Sequence, residues 1–150
     1  MVGSLERLVA VEDIRLLKAR RLRALDAKDW EAYAALHADD HVSDSYGGEV
    51  MRGNAENVRH LSALLSGVTT IHQVQSHEIA LVNLEEASGI WAMEDRLFWN
   101  QQGEPHSLHG WGHYHERYRR EGGVWRFCYR RLDRVRVELS PGADLVSRDQ

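Results

Sequence analysis

Over the first third of the chain the apolar positions recur three to five residues apart, and after that they alternate. Val11, Ile14, Leu17, Leu22 and Leu25 form one stripe, which predicts an amphipathic helix from about Glu12 to Ala27. Asp29 is placed to cap a second helix, WEAYAALHA, ending near residue 38; so tight a turn folds the two helices into an antiparallel hairpin. HVSDSYGG has a strand-like centre closed by a Gly-Gly turn. Asn54 is expected to cap a third helix, AENVRHLSALLS, with Gly67 placed to end it.

Beyond Gly67 the pattern is extended. VTTIHQVQSHEIALV, ASGIWAMEDRLFW, HSLHGWGHYHERYRR and VWRFCYRRLDRVRVEL are long, alternating and separated by short turns. Long consecutive strands of this kind predict an antiparallel meander against which the helices pack. The expected fold class is α+β: three N-terminal helices on a curved, mostly antiparallel sheet, forming a cone-shaped half-open barrel around an apolar cavity. One domain is expected over 1–150, with its core at about 11–139 and a loose tail at 140–150.

Composition narrows the function classes. A chain of 150 residues, 43% hydrophobic and 28% charged with two prolines, can bury a full core. Lys plus Arg is 19 against 23 Asp plus Glu, a net charge of −4, which argues against a nucleic-acid binder. The single cysteine, Cys128, excludes an intrachain disulfide framework and any multi-cysteine metal site. No apolar run reaches membrane-span length, and the N-terminus mixes acids and bases without a signal-type core, so no membrane association and a cytoplasmic location are expected. Nine histidines and five tryptophans point to chemistry or a ligand pocket without saying which.

Asp95 is the most informative residue. Trp91, Met93, Asp95, Leu97 and Trp99 share one strand face, so Asp95 is a lone charge in an apolar row. A carboxylate there must be paired or chemically employed, unless the opposite face is the buried one. His72 lies early in the first long strand, and Asp26 lies at the C-terminal edge of the first helix's stripe; each also has a purely structural reading. His109, His113 and His115 share a face with Trp111, but without cysteines or an HExxH helix no metal site is expected. Gly110 and Gly112 on the opposite face mark a place where the backbone needs room, as a ligand cavity would require. Cys128 is read as core, and the arginines of YRRLDRVRV as a solvated or interface face. Neither GGEVMRGN nor Ser43 and Ser45 fits a phosphate-loop or serine-hydrolase motif.

In their order and spacing, ALDAKDW at 24–30, TTIH at 69–72, GIWAMEDRLFW at 89–99, GHYHERYRR at 112–120 and EGGVWRF at 121–127 resemble a known family. It is the SnoaL-like branch of the nuclear transport factor 2-like superfamily, in its scytalone dehydratase, bile-acid 7α-dehydratase and hexachlorocyclohexane dehydrochlorinase group. The resemblance implies a deep pocket, no metal or organic cofactor, and acid–base chemistry by a helix aspartate and a strand histidine. Those roles fall on Asp26 and His72, and a second carboxylate role falls on Asp95. The resemblance also implies a homo-oligomer, a trimer before a dimer. Three departures stand out. Arg21 replaces a pocket tyrosine, SDSYGG displaces another tyrosine to Tyr46, and Gly112 and Tyr114 stand near the places of a serine and an asparagine.

The expected function is cofactor-independent β-elimination, of water first, from a hydrophobic cyclic, polyketide- or steroid-like molecule. His72 would be the base, Asp26 its partner, and Asp95 a leaving-group or proton-sharing residue. Tyr46 or Tyr114 would donate to the developing oxyanion, and Trp91, Met93 and Trp99 would form an apolar wall. The alternatives are isomerisation or cyclisation in the same pocket, and a non-catalytic ligand-binding module on the same fold.

Overall fold

Helix α1 spans Ser4–Ala27, beginning before the apolar stripe does. Its first turns expose Leu5, Leu8 and Val9, so backbone bonding holds them, while Ala10, Ile14, Leu17, Leu22 and Leu25 bury the inner face. Lys18 and Arg21 are buried on that same face. Lys28 ends the helix in the left-handed region at φ 58°, and Asp29 caps α2 (Trp30–Ala35) by accepting from the Ala32 N–H at 3.0 Å. The second helix stops short of the expected residue 38, because Leu36 and His37 pass to the sheet. The Leu36 carbonyl accepts from the Phe127 N–H at 3.0 Å, and His37 Nδ1 lies 2.7 Å from the Tyr33 carbonyl.

The structure is a computed structural model that describes residues 2–46 and 49–150, without the side chains of residues 45 and 46. Strand β1 (His37–Tyr46) pairs with β2 (Glu49–Arg52), and α3 (Asn54–Leu64) follows. Asn54 is the first helical residue and not the cap. Gly53 takes the cap position, and the Asn54 amide donates instead to the Ala34 carbonyl at 2.8 Å. The long strands β3 (Thr69–Leu81), β4 (Glu86–Gln101), β5 (Glu104–Glu121) and β6 (Val124–Leu139) form the expected antiparallel meander. The sheet order is β2-β1-β6-β5-β4-β3, and β1 lies parallel to β6, so the sheet is mixed and open, with helices packed against it.

Strand β4 buries Trp91, Met93, Asp95, Leu97 and Trp99 on its inner face, as the alternation predicts. Strand β6 does not keep a strict two-residue period. Opposite Tyr118 and Arg117 it presents Phe127 and Tyr129, so Cys128 is an extra, bulged residue. A second slip skips Val135 between the partners of Gly112 and Trp111. Between the two bulges the even-numbered Arg130, Leu132 and Arg134 face inward, opposite Glu116, Tyr114 and Gly112. The arginines of YRRLDRVRV are therefore split between the two faces, against the expectation of one solvated face.

The segment 140–150 is not loose. It folds back between the end of α3 and the β4–β5 turn, with a 3-10 turn at Leu145–Ser147. Arg148 donates from Nε to the Ser66 carbonyl at 2.8 Å and from Nη2 to the Ala63 carbonyl, at the end of α3. The Asp149 carboxylate accepts from the N–H groups of Gln102 and Gly103 at 2.8 and 2.9 Å, in the β4–β5 turn. Ala143 and Leu145 pack on the core formed by Leu25, Leu61, Leu65 and Trp99. Among the described residues, no helix is long and apolar enough to cross a membrane.

Candidate functional site

The last turn of α1 lies against the start of β3, and the contact is polar. Asp26 Oδ1 accepts from His72 Nδ1 at 2.7 Å and from the Thr70 hydroxyl at 2.9 Å, and Oδ2 accepts from the His72 backbone N–H at 2.9 Å. Lys28 Nζ donates to Thr70 Oγ1 at 2.7 Å and completes the chain. Burial pushes the Asp26 carboxyl upward, but the side-chain and backbone hydrogen bonds from His72 outweigh it and hold the group below the usual carboxylate value of 3.8. An ionised carboxylate at Nδ1 fixes the imidazole tautomer: Nδ1 carries the proton and Nε2 presents its lone pair. Thr70, two residues before His72 on the same strand face, and Lys28 are the parts of this contact that sequence reasoning did not single out.

On the other side of the ring, His72 Nε2 lies 4.0 Å from Asp95 Oδ2. The two residues are direct partners in the β3–β4 register. Asp95 is 3% exposed and is held in a bidentate pair by Arg134, with Nη1 on Oδ1 and Nη2 on Oδ2, both at 2.7 Å. A Cβ on Gly110 would stand 1.9 Å from Arg134 Nη1 and 2.4 Å from Asp95 Oδ1. Gly110 thus makes room for this ion pair, and Gly112 for the bulged β6 backbone, 2.2 Å from where its Cβ would be. Neither glycine opens space for a ligand directly, which corrects the expectation for both.

His72, Asp95, Arg134 and Tyr114 line a cavity of about 170 Å³. Its apolar wall comes from leucines: Leu25, Leu61, Leu64, Leu65, Leu97, Leu108, Leu132 and Leu145. Trp91, Met93 and Trp99 do not line it. Trp91 donates to the Tyr118 hydroxyl at 2.8 Å and packs with Met93 and Tyr114, while Trp99 joins the core beneath α3. Arg21 and Arg130 complete the lining. Arg21 donates from Nε to His37 Nε2 at 3.1 Å and from Nη2 to the Tyr33 hydroxyl at 2.7 Å, and Arg130 donates from Nη2 to Ser43 Oγ at 3.2 Å.

Behind the cavity Lys18 pairs with Glu116, both fully buried, and its ammonium lies 3.8 Å from the centre of the Tyr114 ring. Burial pushes the Lys18 ammonium down to about 7 against the pull of Glu116. Burial raises the Tyr114 phenol to about 12, against the opposing charges of Arg130 and Arg21. A neutral phenol at the cavity wall is a hydrogen-bond donor. The side chain of Tyr46 lies outside the described residues.

A larger groove of about 620 Å³ runs along β1, β2 and the neighbouring ends of β4 and β5. Of its acids, Asp40 is engaged by Arg119 and Asp44 by Tyr129, and none of Asp26, His72 or Asp95 lies in it. Two of the outward histidines are paired as well: His109 Nε2 is 2.5 Å from Glu94, and His115 Nε2 is 3.3 Å from Asp133. Among the described residues, no three His, Cys, Asp or Glu side chains converge as a metal site.

Residues 6–131 match the family model described as a SnoaL-like domain. None of the curated proteins matches the chain. Among solved structures, the chain is similar to a candidate scytalone dehydratase from Novosphingobium aromaticivorans, at 19% identity and TM-score 0.81, with 91% of each chain covered. It is similar to a hexachlorocyclohexane dehydrochlorinase of type 3 from Novosphingobium barchaimii, at 19% identity and TM-score 0.80, covering 94% of this chain and 97% of that one. A Mycobacterium tuberculosis protein of unknown function is similar at 24% identity and TM-score 0.75, covering 89% of this chain and 77% of that one. At these identities the likeness shows a shared fold.

Proposed function

The chain belongs to the SnoaL-like domain family, and from that premise we propose that it is a cofactor-independent lyase of the dehydratase type acting on a hydrophobic cyclic molecule. The observation that carries this reading is the Asp26–His72–Asp95 array beside a leucine-walled cavity, with His72 Nδ1 hydrogen-bonded to one carboxylate and Nε2 directed to the other. A non-catalytic binding module has no need to hold a histidine in one tautomer with its free nitrogen at the cavity.

The proposed reaction starts at His72 Nε2, which takes a proton from the carbon next to an electron-withdrawing carbonyl. The C–H electron pair moves toward that carbonyl, and Tyr114 donates a hydrogen bond to the developing oxyanion. Asp26 stabilises the imidazolium through Nδ1–H. The carbon–oxygen bond then breaks, and the proton on Nε2 passes to the departing hydroxyl, which leaves as water. One base serving both ends requires that proton and hydroxyl leave from the same face of the substrate. Asp95, 4.0 Å from Nε2, is placed to orient the departing hydroxyl while Arg134 balances its charge. The 170 Å³ cavity holds about one ring, since a cavity of about 150 Å³ binds benzene, so a polyketide- or steroid-like substrate would extend through its mouth.

The test is His72→Ala against a panel of cyclic β-hydroxy carbonyl compounds, followed by product mass. Loss of one water by the wild type and at least a ~100-fold lower rate in the variant are expected. Full turnover by His72→Ala would refute the assignment, and a product of unchanged mass would point to isomerisation or cyclisation.

A further inference from the structure

The charges lining the cavity do not balance. Arg21, Arg130 and Arg134 line it, and Asp95 is the one carboxylate among the lining residues, already taken by Arg134 in a bidentate pair. Arg21 is 1% exposed, and among the described residues no carboxylate pairs with it. Its polar partners are an imidazole nitrogen and a phenol, and its remaining nitrogen, Nη1, has no hydrogen-bond partner. A guanidinium withdrawn from water without an anion is costly, and the cost is recovered when a ligand supplies the missing charge.

The neighbouring histidines neither add to that positive charge nor cancel it. Burial first, and then the charges of Arg21 and its neighbours, hold His37 well below its ordinary value and His41 down to about 3, so both imidazoles are neutral. The Glu116 carboxylate behind Tyr114 is already engaged, by Lys18 and by the Tyr118 hydroxyl at 2.6 Å. The planar fork of a guanidinium suits a planar, two-oxygen anion better than a spherical one.

We infer that the molecule bound in this cavity carries a carboxylate, which Arg21 receives at the buried end while an attached ring lies against Leu25, Leu61 and Leu97. This rests on the proposed function in locating the ligand in the same cavity, and it adds the chemical class: a cyclic carboxylic acid. Arg130 contributes a second cation to the same wall, and Arg134 remains with Asp95 at the more open side. The carboxylate holds the ring in place, and the carbonyl that acidifies the reacting carbon is a separate group, presented to His72 and Tyr114.

Isothermal titration with benzoate and benzamide tests this directly, since the two are matched in shape and differ in charge. The wild type is expected to bind benzoate at least ~10-fold more tightly at pH 7, as charge-assisted hydrogen bonds are about twice as strong as neutral ones. Arg21→Met should reduce benzoate to the affinity of benzamide, and Arg21→Lys should weaken benzoate several-fold without moving benzamide. Equal wild-type affinities would overturn the inference, as would an unchanged benzoate preference in Arg21→Lys, which also decides the matter if Arg21→Met does not fold. The assay involves no turnover. A protein that prefers carboxylates but eliminates nothing refutes the lyase reading alone, and one that dehydrates neutral substrates without this preference refutes the carboxylate alone.

Discussion

Replacing Gly110 with alanine should dismantle the Asp95–Arg134 pair without touching either residue. The added Cβ would stand 1.9 Å from Arg134 Nη1 and 2.4 Å from Asp95 Oδ1, and the nearest obstructing atoms are side-chain ends rather than backbone. Arg134 is the one that can yield: its side chain is 30% exposed, whereas that of Asp95 is 3% exposed. Arg134 therefore swings outward and leaves a buried carboxylate without its cation. Breaking a buried pair on one side costs about 3–5 kcal/mol. Alanine also reduces the freedom of the unfolded chain, worth about 0.4–1 kcal/mol in the opposite direction, so the net loss is roughly 2–4 kcal/mol. For a chain of this size each kcal/mol moves Tm by about 2–4 °C. The assay is urea unfolding of wild type, Gly110→Ala, Arg134→Gln and the double variant. If Gly110→Ala acts through the ion pair, it should cost much less in the Arg134→Gln background, where only the contact with Asp95 Oδ1 remains, a coupling of about 2 kcal/mol or more. Additive losses, or a single variant within about 0.5 kcal/mol of wild type, would show that Gly110 has another role.

The further predictions concern two charges, half-buried Asp26 and fully buried Lys18. Asp26→Asn should lower the elimination rate at least ~100-fold, because the imidazole loses the partner that fixes its tautomer. Because the folded-state value of Asp26 is depressed, its contribution to stability is complete above the usual carboxylate value of 3.8 and is lost as pH falls through the folded value. The stability gap between wild type and Asp26→Asn, followed by urea unfolding, should thus be constant near neutrality and close in acid. Lys18→Met should cost about 3–5 kcal/mol by stranding Glu116, and Lys18→Met with Glu116→Gln should recover most of it. With Lys18 lowered to about 7 from 10.5, the unfolded chain holds a proton that the folded one has lost. Wild-type stability should therefore rise between pH 7 and 9, and this rise should be absent in Lys18→Met.

What was legible in the sequence follows from regular spacing. Trp91 to Trp99 alternate without interruption, so the inner face of β4 and the isolation of Asp95 could be read directly. His72 sits in an equally regular stretch of β3 and faces Asp95 across the ladder. Arg134 could not be read in this way. Counting by twos from the buried Trp125 and Phe127 puts Arg131 and Asp133 inside and Arg130 and Arg134 outside, and the bulge at Cys128 reverses that parity. No local composition marks that bulge. The cavity wall differs from the expected tryptophans because alternation marks an inner face without saying what fills it: the bulk of Trp91 and Trp99 packs into the core, and leucines from α1, α3, β4, β5, β6 and the 3-10 turn reach the opening. The returning segment 140–150 is short and mixed in character, and it is ordered by the side chains of Arg148 and Asp149, whose partners lie in distant turns.

The site is divided between parts of the fold that differ in how far apart they lie along the chain. His72 and Asp95 are joined by a single hairpin, so strand pairing alone brings them face to face. Asp26 reaches His72 only when α1 docks across a sequence separation of 46. Contacts of short separation close sooner and at lower entropic cost than distant ones. A molecule whose sheet has formed but whose first helix has not yet settled would hold the imidazole beside one carboxylate, with nothing to fix its proton on Nδ1. The seam between α1 and β3 is thus the step at which a folded sheet becomes a chemically competent one.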